Sequence, residues 1–245
     1  GDRARLHQIQ DKTTAGFIPE LKWKEKGATL KAVDKRIPSD EKAIKIFELP
    51  EKLEGKELIF FTSDGMVKRT KLEEYDIAKA FFQAIKLKNL EEVVGVEMFK
   101  EGGSIVCVTK QAMVLNFEKT DIPVQGRVSG GVKGINLDDG DNVVYATQVD
   151  KAGNLTLISD KGVAKRVPIA EFGLSARYRK GLRGINLGLK GSLVYAEFDY
   201  DSPSVALMAN DKLSLLTNVP ILSRLSDGKQ ISKDKLSGAW RYCVQ

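Results

Sequence analysis

The sequence predicts an all-β protein assembled from several similar four-stranded sheets, and three observations lead to this fold class. Runs of four to six apolar, β-branched or aromatic residues recur throughout the 245 residues, each bounded by turn residues. The runs repeat with a spacing typical of propeller blades. Helical periodicity is scarce, and only residues 72–79 fit a helical turn or two.

The clearest repeated element is a hairpin whose second strand carries two adjacent basic residues. Residues 58–69 and 155–166 both follow this pattern. Residues 104–115 and 204–215 are similar hairpins that lack the basic pair. Successive turns of these four hairpins are 47, 50 and 50 positions apart. A period of this size favours a radial repeat of blades over a single continuous sheet.

Glycine marks the two best-defined hairpin turns. Gly65 and Gly162 supply the positive φ that tight hairpins favour. Residues 1–6 resemble the second half of a further hairpin, entered at its turn. Together the hairpins predict blade turns near residues 1, 65, 112, 162 and 212.

Two more elements recur in register with the hairpins. A glycine-rich element centred about 22 residues after the turn occupies residues 131–137 and 180–187, with degenerate versions at 79–87 and 24–30. An apolar strand follows it at residues 92–97, 142–147 and 192–197. Each repeat therefore has about four strands, which predicts one domain of about five blades over residues 1–245. A β-sandwich with accidental similarity is the alternative, disfavoured because three elements recur in order.

Composition argues against several classes of site. His7 is the single histidine, and Cys107 and Cys243 lie far apart without CxxC spacing, so no histidine-rich metal site or disulfide framework is expected. Residues 138–141 are acidic but lack the length and final Glu of an EF-hand loop. No apolar run approaches the ~18 residues that a membrane span needs. We therefore expect no metal, no cofactor and no membrane association, and a cytoplasmic location.

The net charge of +6 is concentrated in one repeat. Residues 151–190 hold nine basic and two acidic side chains, a net charge of +7, so the other 205 residues together carry −1. Residues 22–36 hold a smaller excess of +4. Such clustering is typical of phosphate contact, since each Lys or Arg that neutralises a phosphate releases a counterion. A solvated charged loop is the alternative.

Backbone features of the basic repeat fit the same interpretation. Gly181 and Gly184 would let the backbone approach phosphates and bond to them through N–H groups. The pairs at residues 68–69 and 165–166 follow hairpin turns, where adjacent side chains point to opposite faces of a strand. We therefore expect one member of each pair to face a phosphate-bearing partner from a given sheet surface.

The repeats resemble the C-terminal β-pinwheel domain of the type IIA topoisomerase A subunit, which occurs in bacterial DNA gyrase and topoisomerase IV. Residues 61–75 and 159–172 carry the resemblance through the hairpin and its basic pair. Residues 126–135 and 177–185 complete it through the glycine-rich element. The resemblance covers essentially the whole chain and rests on several copies in the same order.

The resemblance implies a propeller-like disc with strands exchanged between neighbouring blades and duplex DNA bent around its basic outer edge. It implies a DNA-binding domain without catalytic residues, in an ATP-dependent enzyme whose nucleophilic tyrosine lies elsewhere. Its implied partners are duplex DNA, the rest of the same polypeptide and, through it, the ATPase B subunit, with the bacterial nucleoid as the location. Charge and resemblance together predict these DNA contacts: Lys165, Arg166, Arg177, Arg179, Lys180, Arg183, Arg127, Lys133, Lys68, Arg69, Lys24 and Lys26.

One departure bears on the choice between the two enzymes. Gyrase A subunits share a Gln-Arg-Arg-Gly-Gly-Lys-Gly box that drives chiral wrapping, and this run does not occur in the chain. Residues 125–134 come nearest but fit the ordinary blade pattern. The sequence therefore favours the topoisomerase IV branch of the family, with a gyrase A domain that lacks its box blade as the alternative.

Two rival functions remain open on the sequence. A propeller that acts as a protein-interaction scaffold would show little salt-sensitive DNA affinity. A propeller hydrolase or lectin would need convergent carboxylates or histidines, and no such position repeats here. A separate prediction concerns residues 240–244, whose strand-like composition suggests that they complete the opening blade.

Overall fold

The structure is a computed structural model that describes residues 35, 43–78, 81–88 and 90–242, together with the backbone of two strands before them. Within these residues the regular structure is almost wholly β, which confirms the predicted fold class. The strands are β1 (Arg3–Ile9), β2 (Lys12–Ile18), β3 (Ala43–Glu48), β4 (Glu57–Thr62), β5 (Met66–Lys71), β6 (Phe81–Lys86), β7 (Val93–Met98), β8 (Ser104–Thr109), β9 (Met113–Glu118), β10 (Val132–Lys133), β11 (Val143–Val149), β12 (Asn154–Ser159), β13 (Val163–Pro168), β14 (Leu182–Arg183), β15 (Leu193–Asp199), β16 (Val205–Ala209), β17 (Lys212–Leu216), β18 (Lys229–Gln230) and β19 (Gly238–Arg241). Short 3-10 helices span Leu72–Tyr75, Lys119–Asp121 and Ile169–Glu171.

Among the described residues, the strands form four sheets of four strands and one sheet of three. Their strand orders are β3-β1-β2-β6, β10-β5-β4-β7, β11-β8-β9-β14, β15-β12-β13-β18 and β17-β16-β19. Each four-stranded sheet has a hairpin at its centre. Its last strand on one side comes from the repeat that follows in the chain, so β6, β10, β14 and β18 each cross back to the preceding sheet. This is the strand exchange that the family resemblance implies.

The chain forms two compact units rather than one continuous cluster of contacts. The first contains residues 1–100 and 122–132, and the second contains residues 101–121 and 133–245. Residues 122–132 belong to the first unit because strand exchange returns them to the sheet of β4 and β5. Each unit has its own core: Phe60 and Ile85 are fully buried in the first, and Leu157 and Phe172 in the second.

Left-handed backbone closes the hairpins of the later repeats. Gly65 and Gly162 have φ values of 74° and 72°, as the turn chemistry requires. Ala112 adopts φ 62° without a glycine, and its side chain is fully buried. The first hairpin differs from expectation, because β1 and β2 pair from Arg3↔Ile18 to Ile9↔Lys12. Its turn therefore lies after Ile9 and not near residue 1.

The prediction for the C-terminal tail is wrong. β19 pairs with β16 in the last sheet, with Trp240 opposite Ala206, and not with the opening sheet. The opening sheet already has four strands, so it offers no place for the tail. Arg241 also ties β19 to β15 of the preceding sheet, with its Nη1 2.7 Å from Asp199 Oδ1 and 2.5 Å from Glu197 Oε1.

Candidate nucleic-acid interface

Lys165 is one of the predicted DNA contacts, but its side chain is fully buried in the structure and does not face solvent. Its Nζ donates to three backbone carbonyls, those of Ser223 at 3.1 Å, Arg224 at 2.7 Å and Ser226 at 2.7 Å. Burial lowers the pKa of this lysine. The ammonium fixes the loop that leads into β18, and so it anchors an exchanged strand.

Lys68, also a predicted DNA contact, occupies the equivalent position in an earlier repeat and is buried in the same way. Only 1% of its surface is exposed. Its Nζ donates to Ala84 O at 2.7 Å and to the carbonyl of Arg127, and lies 5.2 Å from the centre of the Phe60 ring. Arg127 precedes β10 as Arg224 precedes β18. Both lysines therefore bind the carbonyl of an arginine in the loop before an exchanged strand.

The basic partners of these lysines are not free for phosphate either. Arg166 is 5% exposed, and its Nη2 lies 3.5 Å from Tyr200 O. Arg69 is ion-paired through Nε with Glu57, and its guanidinium lies 3.8 Å from the centre of the Phe99 ring. Strand alternation leaves one residue of a pair in solvent only when one face of the sheet is wet. Residues 164–167 of β13 are all buried, so neither face is wet here.

Lys68 should make the stability of the protein depend on pH. Burial, and after it the charge of Arg127, lower its pKa from 10.5 to about 7, while Glu74 opposes the change. In the unfolded chain the pKa returns to its ordinary value. Between those two values the unfolded chain binds one more proton than the folded protein, so the free energy of unfolding rises with pH. Below about pH 7 both states are protonated and this slope disappears.

The measurement is urea unfolding of the wild type and of Lys68→Met at pH 7 and pH 9. We expect the wild type to gain about 1–2 kcal/mol relative to the variant over this interval. The comparison must end near pH 9, because burial raises the pKa of Cys107 to about 12 and also raises that of Tyr75, and both reverse the slope at higher pH. Parallel profiles would show that the carbonyls keep the ammonium charged throughout.

An arginine in the loop before each of β10, β14 and β18 joins that loop to the preceding exchanged strand. Arg127 Nη1 donates to the carbonyl of Gln83 in β6. Arg177 Nη1 lies 3.0 Å from Lys133 O in β10. Arg224 Nη1 lies 3.4 Å from Arg183 O in β14. Arg127 and Arg177 are therefore structural at one end of the guanidinium.

Sequence reasoning missed Arg224, because its repeat lacks the surrounding basic residues. The signal that identifies it is its distance of 47 positions from Arg177, which lies 50 positions after Arg127. Lys229 was missed as well. It is an exposed residue of β18 that pairs with Ala164. Its position is equivalent to that of Leu182 in β14, which pairs with Val114.

Four of the predicted cations are exposed, and all four belong to the second unit. Lys133 and Arg183 lie on the exchanged strands β10 and β14. Arg179 and Lys180 lie in the loop that precedes β14. Lys180 is ion-paired with Asp138, and both side chains are more than half exposed. An exposed pair of this kind is weak, so phosphate can replace Asp138 at little cost.

Packing brings this loop close to β10. Tyr178 N donates to Gly134 O at 2.5 Å, and Asn136 N donates to Arg179 O at 3.0 Å. The Nζ of Lys133 lies 4.9 Å from the centre of the Tyr178 ring. Lys133, Arg179, Lys180 and Arg183, here called the exposed cation group, thus come from two successive exchange segments. Lys24 and Lys26, the other predicted contacts, lie outside the described residues.

The two glycines have a different role from the one predicted. A side chain at Gly181, where φ is 80°, would clash with Val114 O. A Cβ at Gly184 would lie 2.6 Å from Leu157 Cδ1, and the Gly184 N–H already donates to Ala112 O at 2.8 Å. These glycines let the exchanged strand lie against β9. The N–H of Gly184 is therefore not available to a phosphate.

The described residues show no other site that would compete with this surface. Among them, no group of three or more His, Cys, Asp or Glu side chains is placed to hold a metal ion. In the same part of the chain, no helix has the length and apolar character needed to cross a membrane.

Comparison with known proteins places these repeats beside one family. Residues 56–80, 103–150 and 153–198 match the family described as DNA gyrase C-terminal domain, beta-propeller. The A subunit of DNA topoisomerase 4 from Bacillus subtilis is 30% identical over 159 residues, which cover 62% of this chain and 19% of that protein. The A subunit of DNA gyrase from Metamycoplasma arthritidis is 25% identical over 234 residues, 94% of this chain and 26% of that protein. The chain thus spans about a fifth to a quarter of these relatives.

Solved structures agree on the fold. The C-terminal domain of DNA topoisomerase IV superposes with a TM-score of 0.86 at 22% identity, covering 98% of this chain and 79% of that one. A DNA gyrase A C-terminal domain superposes with a TM-score of 0.74 at 18% identity, covering 99% and 83%. At these identities the likeness concerns the fold alone.

Proposed function

Since the chain belongs to the family of C-terminal β-pinwheel domains of type IIA DNA topoisomerase A subunits, we propose that it binds and bends duplex DNA. The observation that carries this proposal is the exposed cation group. Its four side chains lie on the exchange segments of one compact unit, while the other basic residues of the same motifs are used in packing.

Phosphate contact accounts for the required energy. Each phosphate neutralised on B-DNA contributes about −0.9 to the slope of log K against log salt concentration. Bending a site of about 20–30 base pairs costs on the order of 1–6 kcal/mol, which several such contacts offset. A surface that contacts only phosphates would bind with little preference for sequence.

Within a larger protein, the domain would present a DNA segment to the strand-passage core of the topoisomerase. That core would hold the nucleophilic tyrosine, and the ATPase B subunit would join through it, so this chain itself would not cut DNA or hydrolyse ATP. The enzyme would act in the cytoplasm, at the bacterial nucleoid. We assign the domain to the A subunit of topoisomerase IV, because the gyrase box is not found in these 245 residues.

The proposal is tested by titrating the protein into a duplex of about 40 base pairs at two salt concentrations. With four phosphate contacts we expect the slope of log K against log salt to be about −3.6. Fluorescence anisotropy of the labelled duplex gives the affinity, and end-to-end energy transfer gives the bend. Binding that is absent or independent of salt would overturn the DNA function and favour a protein-interaction scaffold.

A second measurement separates the two enzymes. Nicked circular DNA is ligated with the domain bound, and the change in linking number is read by electrophoresis. We expect little net writhe from a topoisomerase IV domain that lacks the box. Strong positive writhe would instead assign the chain to gyrase.

A further inference from the structure

An exposed apolar side chain follows the loop arginine in each of three repeats. These residues are Val128 after Arg127, Tyr178 after Arg177 and Leu225 after Arg224. Their side chains are 54%, 45% and 82% exposed, respectively. Apolar residues at equivalent positions of a repeat are ordinarily part of its core, as Ile85, Ile135 and Ile185 are. The loop tips are therefore a repeated feature that packing does not explain.

The loop arginines place two of these tips beside exposed cations. The Arg177 contact with Lys133 O fixes the base of the Tyr178 loop at β10, and Lys133 Nζ lies 3.4 Å from the Tyr178 hydroxyl. The Arg224 contact with Arg183 O likewise fixes the Leu225 loop at β14. In the first unit, the corresponding contact is to neutral Gln83. The loops of Tyr178 and Leu225 thus each contact the backbone of a residue in the exposed cation group. The loop arginine before Val128 contacts Gln83, which is not in that group.

The backbone holds Tyr178 in an unusual conformation. Its φ is 61°, a left-handed value that bulky residues rarely adopt. The hydrogen bond from its N–H to Gly134 O maintains this conformation. Non-glycine residues in this region are strained and concentrate at functional sites. The result is a half-exposed aromatic ring with Lys133 Nζ 4.9 Å from its centre.

We propose that Tyr178 and Leu225 are apolar contacts to the DNA minor groove, a role that rests on the DNA-binding function proposed above. Flanking cations would bind the two phosphate rows that border the groove. The apolar tip would then contact the deoxyribose walls and, on bending, the edge of an opened base step. Apolar wedges of this kind support bending by unstacking bases in other minor-groove proteins. Bending then depends on these tips as well as on charge.

Apolar and ionic contacts are separable by their salt dependence. Loss of an apolar contact releases no counterion, so it lowers affinity without changing the salt slope. For Tyr178→Ala combined with Leu225→Ala, we expect affinity to fall about tenfold at every salt concentration. We also expect the energy-transfer signal of the bent duplex to fall. Thermal unfolding should be unchanged, since both side chains are exposed.

Three matched variants serve as controls. Leu189→Ala removes an equally exposed leucine of the second unit, 87% exposed, outside the exchange loops, and should have no effect. Val128→Ala should lower affinity less than Tyr178→Ala or Leu225→Ala does, because the arginine of its loop contacts Gln83 and not a residue of the exposed cation group. Tyr178→Phe keeps the ring but not the hydroxyl, and should bind as tightly as the wild type.

Groove choice is tested by competition. Netropsin, which occupies the minor groove of A·T-rich duplexes, should weaken binding of the wild type more than binding of the double variant. Unchanged affinity in the double variant would overturn the proposal, as would a fall in affinity accompanied by a smaller salt slope. If the wild type binds no DNA at all, the DNA-binding function itself is overturned. This outcome is distinguishable from failure of the apolar contacts, because no slope of log K against log salt concentration can then be measured.

Discussion

Replacing Lys165 with alanine is expected to lower the free energy of unfolding by about 3–5 kcal/mol. The substitution removes a fully buried ammonium that donates hydrogen bonds to three backbone carbonyls of residues 223–226. A buried polar group that loses its partner costs about 1–3 kcal/mol, and three are affected here. Water can reach some of them once the loop opens, which keeps the total below the sum. The measurement is the urea midpoint at constant m-value.

The control for this substitution is Arg179→Ala, an exposed residue of the same repeat, which should change stability by less than about 0.5 kcal/mol. Lys165→Met would restore the aliphatic stem but not the donor, so we expect it to recover only part of the loss. A loss below about 1 kcal/mol for Lys165→Ala would show that the ammonium does not hold the exchanged strand. Folded Lys165→Ala should still bind DNA with the wild-type salt slope.

Neutralising the exposed cation group is expected to weaken DNA binding about 10²- to 10³-fold near 0.1 M salt. The variant carries Lys133→Gln, Arg179→Gln, Lys180→Gln and Arg183→Gln. Each lost phosphate contact should reduce the magnitude of the salt slope by about 0.9. Arg177 is kept, because its guanidinium also donates to Asp121 O at 3.2 Å and its loss would disturb the loop. Anisotropy titration at three salt concentrations gives both quantities.

A variant with the same change in net charge supplies the comparison. It replaces four exposed lysines of the first unit by glutamine, namely Lys45, Lys52, Lys56 and Lys71. We expect it to weaken binding less than tenfold, through the long-range field alone. Equal losses in the two variants would show that net charge, and not the exposed cation group, determines affinity. Thermal unfolding of both should match the wild type.

Periodicity alone was enough to predict much of the architecture. Hairpins at a period near 50 residues, each followed by a glycine-rich element, specify a repeated sheet because strand length, turn chemistry and spacing are local properties. Gly65 and Gly162 adopt the left-handed backbone that their turns required. The basic loop around residues 177–183 was found in the same way, since clustering of charge is visible in one segment.

Strand pairing between repeats could not be predicted from local pattern. The tail residues 240–244 have strand composition, but composition does not specify a partner, and β19 joins β16 instead of the opening sheet. The first hairpin was placed too early for a similar reason. Residues 12–18 lack the two adjacent basic residues that mark the second strands at 66–71 and 163–168, so the pairing of β1 with β2 was not visible.

Sequence by itself therefore determined that this protein is a repeated all-β fold with a basic repeat, and which family it resembles. Tertiary structure decided which basic residues are exposed to solvent. Lys68 and Lys165 looked like phosphate contacts, yet their partners are carbonyls up to 61 residues away, brought near by strand exchange. Whether an ammonium meets water or a carbonyl depends on whether both faces of its strand are covered. Only packing between repeats settles that.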